Sequence, residues 1–283
     1  MKKLQILALC LTVIYVNIAA IDHYYATSAD KEFFGKLIRL IKSIYQHDAQ
    51  NTKQIAVFNL GFTQAQRKEL KKFNKVVVYE IEKRHPALLT HFKTSPHGRM
   101  VRGWFAWKPI AIKQALDLFP YVLYLDAGLQ VLKPLDHIFS YIQQQGYFLV
   151  SAGAHNIIDR ITKPVLQKIV WSKTQTERQL LNNPKTYMIS AGIQGLSRNY
   201  YDCYVKHVYD HASDLLLFAD DGSAKMGFGA GRHDQTLFSI YAHLAGMQQF
   251  GQGWNRLAVD GVQIPFHMHW DPKQLNEHSC LLY

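Results

Sequence analysis

Chemistry needs ionisable or hydrogen-bonding side chains held where a ligand can reach them, and a few places in this sequence meet that condition. Asp126 directly follows Tyr121-Val-Leu-Tyr-Leu125, a run nearly free of polar residues, as expected of a strand buried on both faces. The carboxyl ends of such strands open onto the ligand crevice of a parallel sheet. The Ala127-Gly128 that follows lets a ligand approach the backbone closely, although Asp126-Ala-Gly also reads as a simple turn. The same rule selects Asn59, after the apolar run that begins at Ile55, and the segment after Ile189. Farther on, His233, Asp234 and Gln235 open a helical pattern, where Asp234 either caps the helix or turns its carboxylate toward the crevice. His267 and His269 alternate on a late strand pattern and so share a face.

These residues have to be positioned by regular elements, and the periodicity supplies them. Phe33, Phe34, Leu37, Ile38, Ile41 and Ile44 fall at helical spacing between Lys31 and Tyr45. A strand from Ile55 to Leu60, a helix from Thr63 to Leu70 with a Thr cap, and a strand from Val76 to Tyr79 form a strand-helix-strand alternation, the mark of a βαβ unit. A loop from Pro96 to Gly103 leads to a helix from Pro109 to Phe119, opened by proline in its first turn. Short strands are expected at Phe148–Val150 and Tyr187–Ile189, with roughly twenty helical residues from Pro164 between them. Leu237, Phe238, Ile240, Tyr241 and Leu244 give the helix at Asp234–Leu244 one apolar face, and a last strand is expected at Val262–His267.

With 283 residues, 48% of them hydrophobic and 19% charged, the chain is long enough for one large α/β core, which excludes the disordered classes. A net charge of +11 suits an anionic partner, but no helix gathers its basic residues on one face, so nucleic acid is not expected. Cys10, Cys203 and Cys280 form no CxxC spacing; free thiols or one Cys203–Cys280 bridge remain. Gly227-Phe-Gly-Ala-Gly231 is no dinucleotide fingerprint and reads as a loop over a ligand, and P-loop, HExxH, GxSxG and EF-hand patterns are missing from the sequence. Met1-Lys-Lys followed by the apolar run to Ile21 reads as a secretory signal or an uncleaved anchor, the one membrane contact expected. The organisation is accordingly 1–20 signal peptide or anchor, 21–52 N-terminal helical segment and 53–283 functional domain, in the secretory pathway or outside the cell.

Trp107-Lys-Pro, the strand ending in Asp126-Ala-Gly128, and Val131-Leu-Lys-Pro-Leu-Asp-His-Ile-Phe139 together resemble the central signature of nucleotide-sugar glycosyltransferases of the GT-A fold. Asn59-Leu-Gly61, Ser190-Ala-Gly192 and His233-Asp-Gln235 are similar to phrases of glycosyltransferase family 8 and its relatives. The resemblance implies a mixed, mostly parallel sheet flanked by helices with a Rossmann-like nucleotide-binding half. It implies transfer of a sugar from a nucleotide-sugar donor to a hydroxyl acceptor on a glycan, protein or lipid. A non-catalytic carbohydrate-binding protein on a degenerate fold of this kind is the alternative.

Carried over residue by residue, Asn59, Gly61, Arg102, Lys108, Asp126 and Gly128 fall on the donor side, Ser190 and Gly192 on the acceptor side, and Asp234, Gln235 and His233 at the reacting centre. The diphosphate released in such a transfer needs a divalent metal or basic side chains to neutralise it. Asp126 with His269, or less readily His267, would hold Mn²⁺ or Mg²⁺, yet Gly128 stands where the family has its second Asp, and one carboxylate is a poor site for a hard cation. Arg99, Arg102 and Lys108 are the alternative counter-charge.

Overall fold

The computed structural model describes residues 21–251 and the strand pieces Ala258–Val259, Val262–Gln263 and Phe266–Met268. The expected export segment, His269 and Cys280 lie outside the described residues. In chain order, β1 (His23–Ala29), α1 (Phe34–His47), β2 (Thr52–Asn59), α2 (Gln64–Leu70) and β3 (Val76–Glu80) come first. A hairpin of β4 (His91–Lys93) and β5 (Met100–Arg102) leads to α3 (Trp107–Leu118), β6 (Tyr121–Leu125), β7 (Leu129–Val131) and α4 (Asp136–Gln145). Then come β8 (Tyr147–Asn156), α5 (Lys163–Lys168), α6 (Gln175–Asn182), β9 (Tyr187–Ser197), α7 (Lys206–His211) and α8 (Asp234–Leu244), followed by β10 (Ala258–Val259), β11 (Val262–Gln263) and β12 (Phe266–Met268).

The main sheet has six strands in the order β3-β2-β1-β6-β9-β8. The first four are parallel, β9 runs antiparallel to β6, and β8 runs antiparallel to β9. Successive residues alternate between its two faces. Ala26, Ala56, Phe58 and Tyr124 pack with α3, α7 and α8, while Tyr25, Ile55, Val57, Leu123 and Leu125 pack with α1 and α4. This is the expected mixed, mostly parallel sheet with helices on both faces. Strand order reverses between β1 and β6, since the chain builds outward through β2 and β3 and returns to the other side of β1, and ligands bind outside the carboxyl ends at such a switch point.

The segment 21–52 holds a strand as well as the expected helix, and that strand is central to the sheet. Its small and hydroxylated residues, Ala26-Thr-Ser-Ala29, hide it beside the more apolar export run. Buried Asp48 fastens it, accepting hydrogen bonds from the Tyr25 hydroxyl and the Leu135 N–H (3.1 Å) and pairing with His23 Nδ1 at 2.6 Å. A boundary at residue 53 therefore does not separate two units.

Other elements shift or lengthen for local reasons. Asp30 Oδ1 accepts from the Glu32 and Phe33 amides, which delays α1 to Phe34. Thr63 caps α2 in a capping box, as expected. The helical stretch from Pro164 is two helices, because Thr174 and Glu177 form a second capping box that restarts the chain as α6. β8 and β9 run far beyond the three residues expected of each. Gly192 and Gly195 mask the strand pattern in β9; a Cβ at Gly195 would lie 2.4 Å from Ile142 Cδ1, so α4 packs directly on the glycine. The late strand is two pieces: Val262–Gln263 pairs with Ala258–Val259, and Phe266–Met268 pairs with β7, setting His267 opposite Gln130. Cys203 is a free, exposed thiol, and no helix among the described residues is long and apolar enough to cross a membrane.

Candidate active site

Lys108 lies in the first turn of α3 and is 3% exposed, an unusual position for an ammonium group unless carboxylates meet it. Two do. Lys108 Nζ is 3.1 Å from Asp126 Oδ1, just past the end of β6, and 3.0 Å from Asp234 Oδ2, in the first turn of α8. The Tyr124 hydroxyl donates to Asp126 Oδ1 at 3.1 Å, and the Asp126 amide donates to the Gly192 carbonyl at 2.9 Å. A Cβ on Gly192 would come within 2.8 Å of Asp126 Oδ2, so glycine there leaves room for the carboxylate. Three residues assigned separately in the sequence thus meet at the edge of the sheet where its strand order reverses.

Burial pushes the Asp234 carboxyl up to about 6, with Asp126 adding to the shift and Lys108 opposing it. Burial acts to discharge Lys108, but the two carboxylates outweigh it and hold the ammonium above its usual range. The site therefore carries one fixed cation, a half-buried carboxylate at Asp126 and a buried one at Asp234 whose pKa is pushed up to about 6. Asp234 does not cap α8: the cap position is His233, with φ +54°, and Asp234 is the first helical residue, its carboxylate turned to Lys108.

His233 Nδ1–H donates to the Phe218 carbonyl at 2.7 Å, and its ring lies 5.4 Å from that of Phe105. Burial, and then neighbouring cations, push this imidazole down to about 4, so it is neutral at pH 7. The Gln235 amide donates to the Ile189 carbonyl at 2.8 Å, which ties α8 to β9, and the buried Ser190 hydroxyl has no hydrogen-bond partner among the described residues. Phe105 reaches the site through a strained turn, since Gly103, Trp104 and Phe105 take φ values of +52°, +46° and +64°. Left-handed backbone at non-glycine residues costs about 1–3 kcal/mol each. Stacking of Trp104 on Phe92 at 4.3 Å helps hold it.

Asn59, Gly61 and Arg102 gather elsewhere, at the ends of β1 and β2. Asn59 Oδ1 accepts from the Gly61 and Phe62 amides, and Arg102 Nε donates to Asp30 Oδ2 at 3.1 Å. Asp30, Glu32 and His91 bring potential ligand atoms within 4.8 Å of one another, yet both Asp30 oxygens already accept hydrogen bonds, from Arg102 and from the start of α1. Residues not anticipated are Tyr124, Asp30 and His91; they belong to different elements, and no local spacing marks them.

The divalent cation implied at Asp126 does not fit the described residues. Its carboxylate already faces Lys108 and Tyr124, Gly128 contributes no ligand and has open space where a side chain would project, and Asp234 is turned to the same lysine.

No protein-family model matches the chain, and no curated protein sequence matches it. Solved structures do. The galactosyltransferase LgtC, in complex with donor and acceptor sugar analogs, aligns at 13% identity over 92% of this chain and 91% of its own, with a TM-score of 0.54. Core-mannan synthase A from Aspergillus fumigatus, in a Mn/GDP form, aligns at 13% identity over 79% of this chain and 70% of its own (TM-score 0.45). The bifunctional glycosyltransferase WbbM aligns at 12% identity over 80% of this chain (TM-score 0.45), and the chain spans only 38% of it. The fold is that of the GT-A glycosyltransferases.

Proposed function

We propose that the chain is a glycosyltransferase that moves a sugar from a nucleotide-sugar donor to a hydroxyl acceptor. The observation that carries this reading is the Lys108–Asp126–Asp234 triad beside the switch point of a GT-A sheet. The donor nucleotide lies over the ends of β1, β2 and β6, where Asn59, Gly61 and Arg102 line one side and Asp126 with Gly128 the other. The sugar extends toward α8. There Asp234 accepts hydrogen bonds from sugar or acceptor hydroxyls, and Lys108 keeps that buried carboxylate in place. Ser190 and Gly192 face the acceptor side, and His233 and Gln235 fix the start of α8 beside the reacting atoms. Lys108 and Arg99, whose charge reaches Asp126, supply positive charge toward the leaving diphosphate. The apolar run at 4–21 supports a reaction outside the cytosol, in the secretory pathway.

Gly128 favours one rival, a carbohydrate-binding protein that keeps the fold without turnover, because it removes a carboxylate from the family pattern. A thermal-shift screen of nucleotide sugars, with and without Mn²⁺, followed by assay of nucleoside diphosphate release, separates the two. Stabilisation of about 2.7 kcal/mol is expected at a hundredfold excess over Kd. Binding without release would support the rival, and no binding at all would refute the transferase reading.

A further inference from the structure

Gly227-Phe-Gly-Ala-Gly231 has no part in the triad, yet it belongs to the loop that leads into α8. This loop runs from Phe218 to His233, and its two ends are fastened together by the hydrogen bond from His233 Nδ1 to the Phe218 carbonyl at 2.7 Å. Asp234, paired with Lys108, is the next residue. The body of the loop is docked on the protein. Ala224 and Ala230 are buried, Asp220 accepts from the Gly222 and Gly229 amides, and the Ser223 hydroxyl accepts from the Lys163 amide, at the start of α5, at 2.6 Å.

Between the two buried alanines the chain turns outward. Met226 is 66% exposed and Phe228 is 50% exposed. Gly227 and Gly229 take φ values of +79° and +85°, left-handed backbone that glycine adopts freely. Three adjacent atoms of the Phe228 ring would lie 2.7–2.8 Å from a Cβ on Gly222, so one face of the ring rests on that glycine and the other is open. Large apolar side chains held in water by an anchored loop, five residues from a reacting centre, mark a surface that a ligand covers.

The chemistry of the tip selects the ligand. Lys225, beside Met226, is paired with Asp159 Oδ1 at 2.9 Å, and Asp221 accepts from the Ser223 amide and hydroxyl. These charges are engaged by the loop and its neighbour, which favours an uncharged ligand over a phosphate or an anionic membrane. The face of an aromatic ring is negative and attracts polarised C–H groups. A pyranose offers such groups on one flat face and keeps its hydroxyls at the rim, in water. We propose that Phe228, with Met226 beside it, is a stacking platform for a pyranose ring, so that the hydroxyl acceptor is carried on a neutral glycan. The acceptor assignment rests on the transferase reading, whereas the carbohydrate platform itself does not.

Saturation-transfer NMR of the full chain with the methyl glycosides of glucose, galactose, mannose and N-acetylglucosamine, each alone and with excess UDP or GDP, tests this. At least one glycoside is expected to receive saturation on the hydrogens of one ring face, and to bind roughly tenfold more weakly to Phe228→Ala. Phe228→Tyr keeps the ring and is expected to bind within about twofold of the native protein. Because Phe228 is exposed, both variants should keep the native Tm. No glycoside binding by the native protein under any of these conditions, or equal affinity in Phe228→Ala, overturns the platform. Binding to phosphatidylglycerol vesicles that is lost in Phe228→Ala, while glycoside affinity stays native, gives the tip to a membrane surface and overturns it as well. Phe228-dependent glycoside binding without any nucleotide binding would keep the platform and refute the transferase reading. Nucleotide binding and diphosphate release with no dependence of glycoside affinity on Phe228 would refute the platform alone.

Discussion

Lys108 decides how the site behaves, because it is the buried cation between two carboxylates. Lys108→Met leaves Asp234 buried beside Asp126 with no counter-charge, and removing one partner of a buried pair costs about 3–5 kcal/mol. Urea unfolding at pH 7 should show a loss of that order; a loss below about 1 kcal/mol would mean that the pair is solvated. Asp234 has a pH signature of its own. An unfolded Asp titrates near pH 4, whereas burial in the fold pushes Asp234 up to about 6. The native state thus takes up its proton at higher pH than the unfolded state does. Its ionised form destabilises the fold above about pH 6, and the penalty fades as pH falls toward 4. The effect is on the order of 1–3 kcal/mol. Relative to Asp234→Asn, the native protein should gain stability as pH is lowered from 7 to 5. A difference in Tm that stays constant over that window would contradict the raised pKa.

At the scale of elements, β1 and α8 carry the site, and both depend on contacts that are distant in sequence. Asp48 anchors β1 through Tyr25, His23 and Leu135. Asp48→Ala strands those groups in the core and should cost about 2–4 kcal/mol in chemical denaturation, while Asp48→Asn, which can still accept, should cost less. β9 sets the floor of the site. A methyl group at Gly192 would press on the Asp126 carboxylate, so Gly192→Ala should weaken donor binding roughly tenfold or more with little change in Tm. Donor affinity like that of the native protein would show that Asp126 does not need its present position.

The elements that sequence patterns reveal are those with strong local signals. Tyr121–Leu125 is uniformly apolar and the start of α2 carries a complete capping box, so Asp126 and the βαβ alternation could be read directly. β1 was hidden by its small, hydroxylated residues, and the length of β8 and β9 by glycines that accommodate α4 and Asp126. Lys108, Asp126 and Asp234 were each singled out, but their meeting depends on the packing of α3, β6 and α8. Asp234 even reads locally as a cap, although its carboxylate is drawn away to Lys108.

For the whole molecule, the strand order β3-β2-β1-β6-β9-β8 places Asn59 and Gly61 on one half of the crevice and α8 on the other, with Asp126 between. The central claim is that sugar is transferred at this junction. It is tested most directly by nucleoside diphosphate release from the nucleotide sugars that bind, with a hydroxyl acceptor present, comparing the native protein with Asp234→Asn and each with and without chelator. The account expects release by the native protein that is weakened little by chelator, and release roughly a hundredfold slower in Asp234→Asn at an unchanged fold. Native-rate release by Asp234→Asn, or release abolished by chelator, would contradict it.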